Sequence, residues 1–176
     1  PSPSPLILES FIYGLVFHDE CINHAAEHYT ESDIDSCVLE ADGSLSANGQ
    51  FDDGEQTLSN VVIQLYLGHC PSDKLVGQTA TNSQGFYVFP NIPAGEYCVV
   101  FNPHSSDNAD REPPWLPGEF TTTEDGRYNL TVGEMDILSN INFSWDYGNL
   151  PLPSKACSDI ASFVDPLAAE EARFMS

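Results

Sequence analysis

Thr81-Asn82-Ser83-Gln84-Gly85-Phe86-Tyr87-Val88-Phe89-Pro90-Asn91-Ile92-Pro93-Ala94-Gly95-Glu96-Tyr97-Cys98-Val99-Val100-Phe101 is the stretch that decides how this chain is read. Tyr87 and Phe89 alternate with Phe86 and Val88, and beyond the corner from Pro90 to Gly95 the residues Tyr97, Val99 and Phe101 alternate again. A period of two belongs to a half-buried strand, whose side chains point alternately to opposite faces. Each of these two strands therefore offers an aromatic-rich face to a core. Pro93 has no N–H to give to a ladder and Gly95 accepts positive φ, so a tight corner separates them. Upstream, Val61, Ile63, Leu65 and Leu67 point one way while Val62, Gln64 and Tyr66 point the other. Shared patterning predicts that the three strands lie in one sheet.

Working outward, the apolar run from Phe11 to Phe17 is a further strand, and Phe120 to Thr123, Tyr128 to Val132 and Ile141 to Trp145 are three more. The turn Glu124-Asp125-Gly126-Arg127 predicts a hairpin between Phe120–Thr123 and Tyr128–Val132. Seven or eight short strands are enough for a two-layer sandwich. Asn102 to Gly118, rich in Pro, Asp and Ser, reads as a long surface loop in which Trp115 is a packing anchor.

From Leu58 to Phe101 the chain resembles the B-type domains of Gram-positive surface adhesins, the serine–aspartate-repeat and collagen-adhesin B modules. It shows a valine-rich strand, then a T-x-x-x-G-x-Y-x-F hairpin, then an L-P-x-G-x-Y-x-V-x-F strand with Ile92 in place of Leu. Ile12 to Phe17 resembles the first strand of those modules, and Asn140 to Gly148 the last. The resemblance implies an all-β fold: a seven- to eight-stranded immunoglobulin-like (prealbumin-like) β-sandwich. Residues 20–43 interrupt it as a Cys-containing insertion. The expected organisation is a Pro-rich N-terminal extension (1–10), the sandwich domain (11–148) and a C-terminal tail (149–176). Asp165 as an N-cap, Pro166 at the first turn and the alanines and glutamates that follow predict a short C-terminal helix in that tail. Glu20 to Tyr29 predicts another within the insertion.

The chain has 176 residues, of which 27 are acidic and 5 basic, a net charge of −22. Such a surface repels nucleic acid and anionic lipid and attracts cations. Crowded carboxylates also oppose the compact state unless bound metal or salt relieves them. No run of about 18 apolar residues suggests a membrane span.

The best ligand pattern lies in Ser44-Leu45-Ser46-Ala47-Asn48-Gly49-Gln50-Phe51-Asp52-Asp53-Gly54-Glu55. A hard cation needs six or more oxygens wrapped tightly around it, and an EF-hand-type loop supplies them from positions 1, 3, 5, 7, 9 and 12 with glycine at 6. Ser46, Asn48, the Gln50 carbonyl, Asp52 and Glu55 occupy positions 3, 5, 7, 9 and 12, and Gly49 occupies position 6. Position 1 is Ser44 rather than aspartate. In the resembled modules an aspartate closing the first strand completes the site; that residue corresponds to Asp19, which is expected to act across the insertion. The plainer reading is a polar turn before a strand. Asp107, Asn108 and Asp110 are a lesser candidate for a second cation.

The five cysteines suit an oxidising compartment and leave one over. Cys21 and Cys37 are spaced to staple the insertion, and Cys70 with Cys98 would tie the sandwich together. Cys157 is the candidate for a free or intermolecular thiol. Cys21, His24 and His28 fall along one helical face, with Cys37 as a fourth ligand, a set that zinc accepts; a Cys21–Cys37 disulfide is the simpler alternative. No nucleophile elbow, phosphate loop or His-Glu-x-x-His is present, so catalysis is not expected.

The function these features predict is structural: an extracellular, calcium-stabilised β-sandwich subunit of a bacterial surface filament or layer. Copies of itself or other surface proteins would be its partners, joined through the terminal extensions. An adhesin or stalk module that binds a host or matrix ligand is the alternative.

Overall fold

The computed structural model describes residues 9–21, 36–39, 41, 45–110, 115 and 118–147. In chain order its strands are β1 (Ser10–His18), β2 (Cys37–Leu39), β3 (Leu45–Ala47), β4 (Gln56–Thr57), β5 (Val62–Leu67), β6 (Leu75–Ala80), β7 (Phe86–Ile92), β8 (Gly95–Phe101), β9 (Glu119–Phe120), β10 (Arg127–Val132), β11 (Ile137–Leu138) and β12 (Phe143–Asp146). The two predicted helices and most of both terminal extensions lie outside the described residues.

Two sheets make the sandwich. One runs β10-β8-β5-β6, every neighbour antiparallel. The other is organised on β1, long enough to hold two sets of partners in succession. Its first half pairs with β7, antiparallel, and β11, parallel; its second half pairs with β4, antiparallel, and β12, parallel, with β9 beyond β12. Between β11 and β12 a side chain carries the ladder across the gap, since the Leu15 amide donates to Asn142 Oδ1 at 2.9 Å. Gly14 is needed at this junction: a Cβ there would come within 1.9 Å of the Ile141 carbonyl oxygen. β2 and β3 form a separate ribbon.

The alternation seen in the sequence is what fills the space between the sheets. Ile12 and Val16 of β1, Tyr87 and Phe89 of β7 and Phe143 and Trp145 of β12 face Ile63 and Leu65 of β5 and Val99 and Phe101 of β8, all buried. Phe86 and Val88, one residue out of phase, are exposed. Phe101 is a hub, its ring centroid 4.9 Å from Trp115, 5.3 Å from Phe120 and 5.8 Å from Phe143. Trp115 anchors the long loop as expected, its indole N–H donating to the Asn108 carbonyl at 2.8 Å.

The architecture expected from the sequence is present, with two corrections to its wiring. β7 does not share a sheet with β5 and β8; it pairs with β1, in register from Ile12 opposite Phe89 to Leu15 opposite Phe86. Pro90 and Pro93 withhold the donors that a tight hairpin between β7 and β8 would need, so the chain steps across the core at this corner and the two aromatic faces meet instead of lying side by side. For the same reason of layer crossing, Glu124 to Arg127 does not close a hairpin. β9 belongs with β12 and β10 with β8, so this turn too passes between sheets. β6 and β11 carry too little alternation to be seen in the sequence.

Candidate metal centre

β1 delivers Asp19. The parallel ladder with β12 runs through His18 opposite Trp145, and the Asp19 amide then donates to the Trp145 carbonyl at 3.2 Å, which turns the carboxyl inward. Asp19 is 0% exposed. Its Oδ2 accepts from the Gly49 amide at 2.6 Å and from the Thr121 hydroxyl at 2.5 Å. Among the described residues no N–H or hydroxyl donates to its Oδ1, and the Glu55 carboxyl lies within hydrogen-bond range of Asp19. A buried carboxylate oxygen without a donor or cation costs several kcal/mol, and proteins rarely leave one so.

The loop expected to hold a cation lies against this carboxyl. Gly49 takes φ +74°, the left-handed backbone that position 6 of such a loop requires, and this aims its amide at Asp19. Asn48 and Asp52 clasp each other, Nδ2 donating to Asp52 Oδ2 at 2.8 Å, while Asn48 Oδ1 accepts from the Gln50 amide at 2.7 Å. Glu55 reaches back to the end of β1. One of its oxygens accepts from the Glu20 amide at 3.0 Å and the other from the Asp52 amide at 2.9 Å. Burial is the main force raising the Glu55 carboxyl from 4.5 to about 7, with the neighbouring Asp19 charge adding to it. Burial likewise raises Asp19, against the lowering effect of its bonds to Thr121 and Gly49. The two carboxyls are close enough to share a proton, which would give the stranded Oδ1 its donor. A divalent cation does the same with more charge.

Thus Asp19 and Glu55 meet at the end of β1, with Asn48 and Asp52 bonded to each other and tied to Glu55 through the Asp52 amide, and Thr121, a residue without a signal in the sequence, bonded to Asp19. Thr121 falls in a stretch that reads as ordinary strand, and only the pairing of β9 with β12 carries it to the site. Ser46 sits in β3, opposite Val38, and Gln50 is exposed at the loop's apex. Ser44 lies outside the described residues. Among the described residues no three His, Cys, Asp or Glu side chains are already drawn together around an ion-sized point. The donor set still fits a hard cation, because an ionised carboxylate has about four lone-pair sites and can bind an ion while accepting one N–H per oxygen.

Asn108, by contrast, serves the fold. Its Oδ1 accepts from the Val62 amide at 2.8 Å, and its Nδ2 donates to the Val62 and Asn102 carbonyls at 3.0 and 2.9 Å. Disulfides join Cys21 to Cys37 and Cys70 to Cys98. The first takes the Cys21 and Cys37 sulfurs out of the zinc set; His24, His28 and Cys157 lie outside the described residues.

An all-β, disulfide-tied sandwich with a pair of buried carboxyls where its first strand meets a glycine-turned loop is the class these features define. Within it, residues 43–112 match the family model described as the SdrD B-like domain, in agreement with the resemblance read from Leu58 to Phe101. The match includes the loop from Ser46 to Glu55 but not Asp19. Colossin-B of Dictyostelium discoideum is 32% identical over 63 residues, 33% of this chain and 2% of that protein. Among solved structures, GBS52, the minor pilin of Streptococcus agalactiae, is similar with a TM-score of 0.40 at 11% identity, over 84% of this chain and 48% of that one. The chain thus spans a small part of the first relative and about half of the second.

Proposed function

We propose that this chain is a non-catalytic, calcium-stabilised β-sandwich subunit of a cell-surface filament or layer, joined to its neighbours through terminal extensions. The observation that carries the calcium reading is Asp19 Oδ1, buried without a donor beside Glu55. Calcium is the hard, oxygen-seeking cation that this donor set suits, and Asp19, Asn48, Asp52 and Glu55 would hold it, with Thr121 fixing the Asp19 carboxyl. Bound there, the ion would tie the end of β1 to the loop before β4.

Two disulfides accord with an oxidising, extracellular setting. The structural role is supported by the B-type domain and by the apolar outer face of the β1 sheet. Tyr13, Phe86, Val88 and Ile137 are 37%, 49%, 46% and 66% exposed in a chain of net charge −22, a surface suited to contact with another protein.

Titration calorimetry in metal-free buffer should show calcium uptake that Asp19→Asn abolishes, and electron microscopy with calcium should show fibres or sheets. No uptake by the wild-type protein refutes the calcium reading. Monodisperse single particles in calcium refute the assembly reading independently.

A further inference from the structure

Ser144 is a polar residue in an unexpected place. Its neighbours in β12, Phe143 and Trp145, belong to the core between the sheets, so alternation turns Ser144 to the outer face of the sandwich, where a hydroxyl ordinarily meets water. Yet Ser144 is fully buried. Phe17, opposite it in the parallel ladder of β1 and β12, is equally buried on that same outer face, and its ring meets Phe51 of the candidate ligand loop at a centroid distance of 5.3 Å. The loop before β4 therefore closes over the outer face at this end of the sheet, and Ser144 lies beneath the cover. A buried hydroxyl is costly unless it is bonded.

Its partner is Thr121. The two hydroxyls are in hydrogen-bond contact, and the Thr121 hydroxyl donates to Asp19 Oδ2 at 2.5 Å. A hydroxyl has a single proton, and Thr121 spends its own on the carboxylate. Ser144 must therefore be the donor between the two hydroxyls, and the bonds run in one direction, from Ser144 to Thr121 to Asp19. The backbone holds this order in place. The Thr121 amide donates to the Ser144 carbonyl at 3.4 Å, and the Ser144 amide donates to Thr122 Oγ1 at 3.1 Å. The loop is seated on the same residue from the other side, since a Cβ on Gly49 would come within 2.9 Å of the Thr121 carbonyl oxygen.

We propose that Ser144 is a positioning residue of the candidate metal centre, acting through the Thr121 hydroxyl to fix the Asp19 carboxylate with Oδ2 occupied and Oδ1 left for the ion. This rests on the calcium reading and extends it by one residue that touches no ion itself. A carboxylate free to turn about its Cβ–Cγ bond presents either oxygen. With the Gly49 amide and the Thr121 hydroxyl both on Oδ2, only one orientation remains. A hydroxyl that itself receives a hydrogen bond is the stronger donor, so Ser144 tightens the bond that does the holding. Groups that hold a metal ligand in this way typically carry a tenfold or greater share of metal affinity.

Titration calorimetry with calcium on the metal-free full chain tests this, comparing wild type, Ser144→Ala, Thr121→Val and the double variant, with melts to show that each is folded. Ser144→Ala should weaken calcium binding about tenfold, and Thr121→Val at least as much. The double variant should bind within about twofold of Thr121→Val, because Ser144 has no other route to the ion. Thr121→Ser, which keeps the hydroxyl, should bind much as the wild type does. Wild-type affinity in Ser144→Ala overturns the proposal and leaves the calcium reading standing. A further loss of about tenfold on adding Ser144→Ala to Thr121→Val also overturns it, since Ser144 would then act through packing. Should Ser144→Ala not fold, the Thr121 variants decide, and equal affinities of Thr121→Ser and Thr121→Val overturn the proposal. No calcium uptake by the wild-type chain removes the calcium reading and this proposal with it.

Discussion

Thirty residues and a disulfide-stapled insertion separate Asp19 from Gly49 in the chain, yet the Gly49 amide donates to Asp19 Oδ2 at 2.6 Å. The first strand and the candidate ligand loop are thereby one unit. What stabilises that contact stabilises the end of β1, and what ionises it strains the same place.

Proton linkage follows. Glu55 holds its proton up to about 7 in the folded chain against an ordinary value of 4.5, and burial raises Asp19 too. A carboxyl whose folded pKa exceeds its unfolded one binds its proton more tightly when folded. Its contribution is therefore full below about 4.5 and lost as pH rises to about 7. In metal-free buffer the stability difference between wild type and Glu55→Gln should move against the wild type across this window, as read from urea midpoints. Parallel curves would remove the shared proton from the account. On the proposed reading calcium displaces this proton, so any rise in Tm that calcium produces should grow from about pH 5 to about pH 8.

Asp19→Asn separates charge from shape. The amide keeps an oxygen for Gly49 and Thr121 and gives Glu55 a donor, so metal-free stability should change by less than about 1 kcal/mol or rise. Saturating calcium, worth about 2.7 kcal/mol at a hundredfold excess over its Kd, should no longer protect this variant. Thermal melts with calcium and with chelator check both halves. Protection equal to the wild type would place the ion elsewhere.

The faces of β5, β7 and β8 were legible because burial imposes a period of two whichever strand lies alongside. Partner choice leaves no such trace: the pattern turns Tyr87 and Phe89 inward but does not tell that β7 pairs with β1 and not with β5 and β8. The site divides in the same way. Asn48, Gly49, Asp52 and Glu55 announce themselves by spacing within a single loop, and Asp19 was reached only through a resemblance. Thr121 has neither spacing nor pattern, being placed by the antiparallel pairing of β9 with β12.

Phe101→Ala should be the costliest single truncation in the core. The ring is 1% exposed and meets Trp115, Phe120, Phe143 and Trp145, residues drawn from the facing β1 sheet and the long loop. Rings on four sides cannot all move into the space vacated, so a cavity term adds to the lost transfer energy, about 3–5 kcal/mol together. Chemical denaturation monitored by tryptophan fluorescence measures it directly. A loss below about 1 kcal/mol would mean that the rings are not packed as described.

The Cys21–Cys37 bond closes a loop of sequence separation 16 whose ends are Cys21, two residues after Asp19, and Cys37, the first residue of β2. Loop-closure reasoning assigns such a link about 3 kcal/mol, chiefly by restricting the unfolded chain. Its position adds a second effect, because the Glu20 amide that bonds Glu55 Oε1 sits one residue from Cys21. Freed from Cys37, the chain after Asp19 loses its tether, and the Glu20–Glu55 contact must be held by the folded loop alone. Cys21→Ser with Cys37→Ser should therefore lower stability by about 3 kcal/mol and also weaken calcium uptake, whereas breaking Cys70–Cys98, which ties the loop after β5 to β8, should lower stability and leave calcium affinity unchanged. Calorimetry on the two double variants distinguishes them. Equal affinities in both would show that the insertion is stapled for the fold's sake and not for the site's.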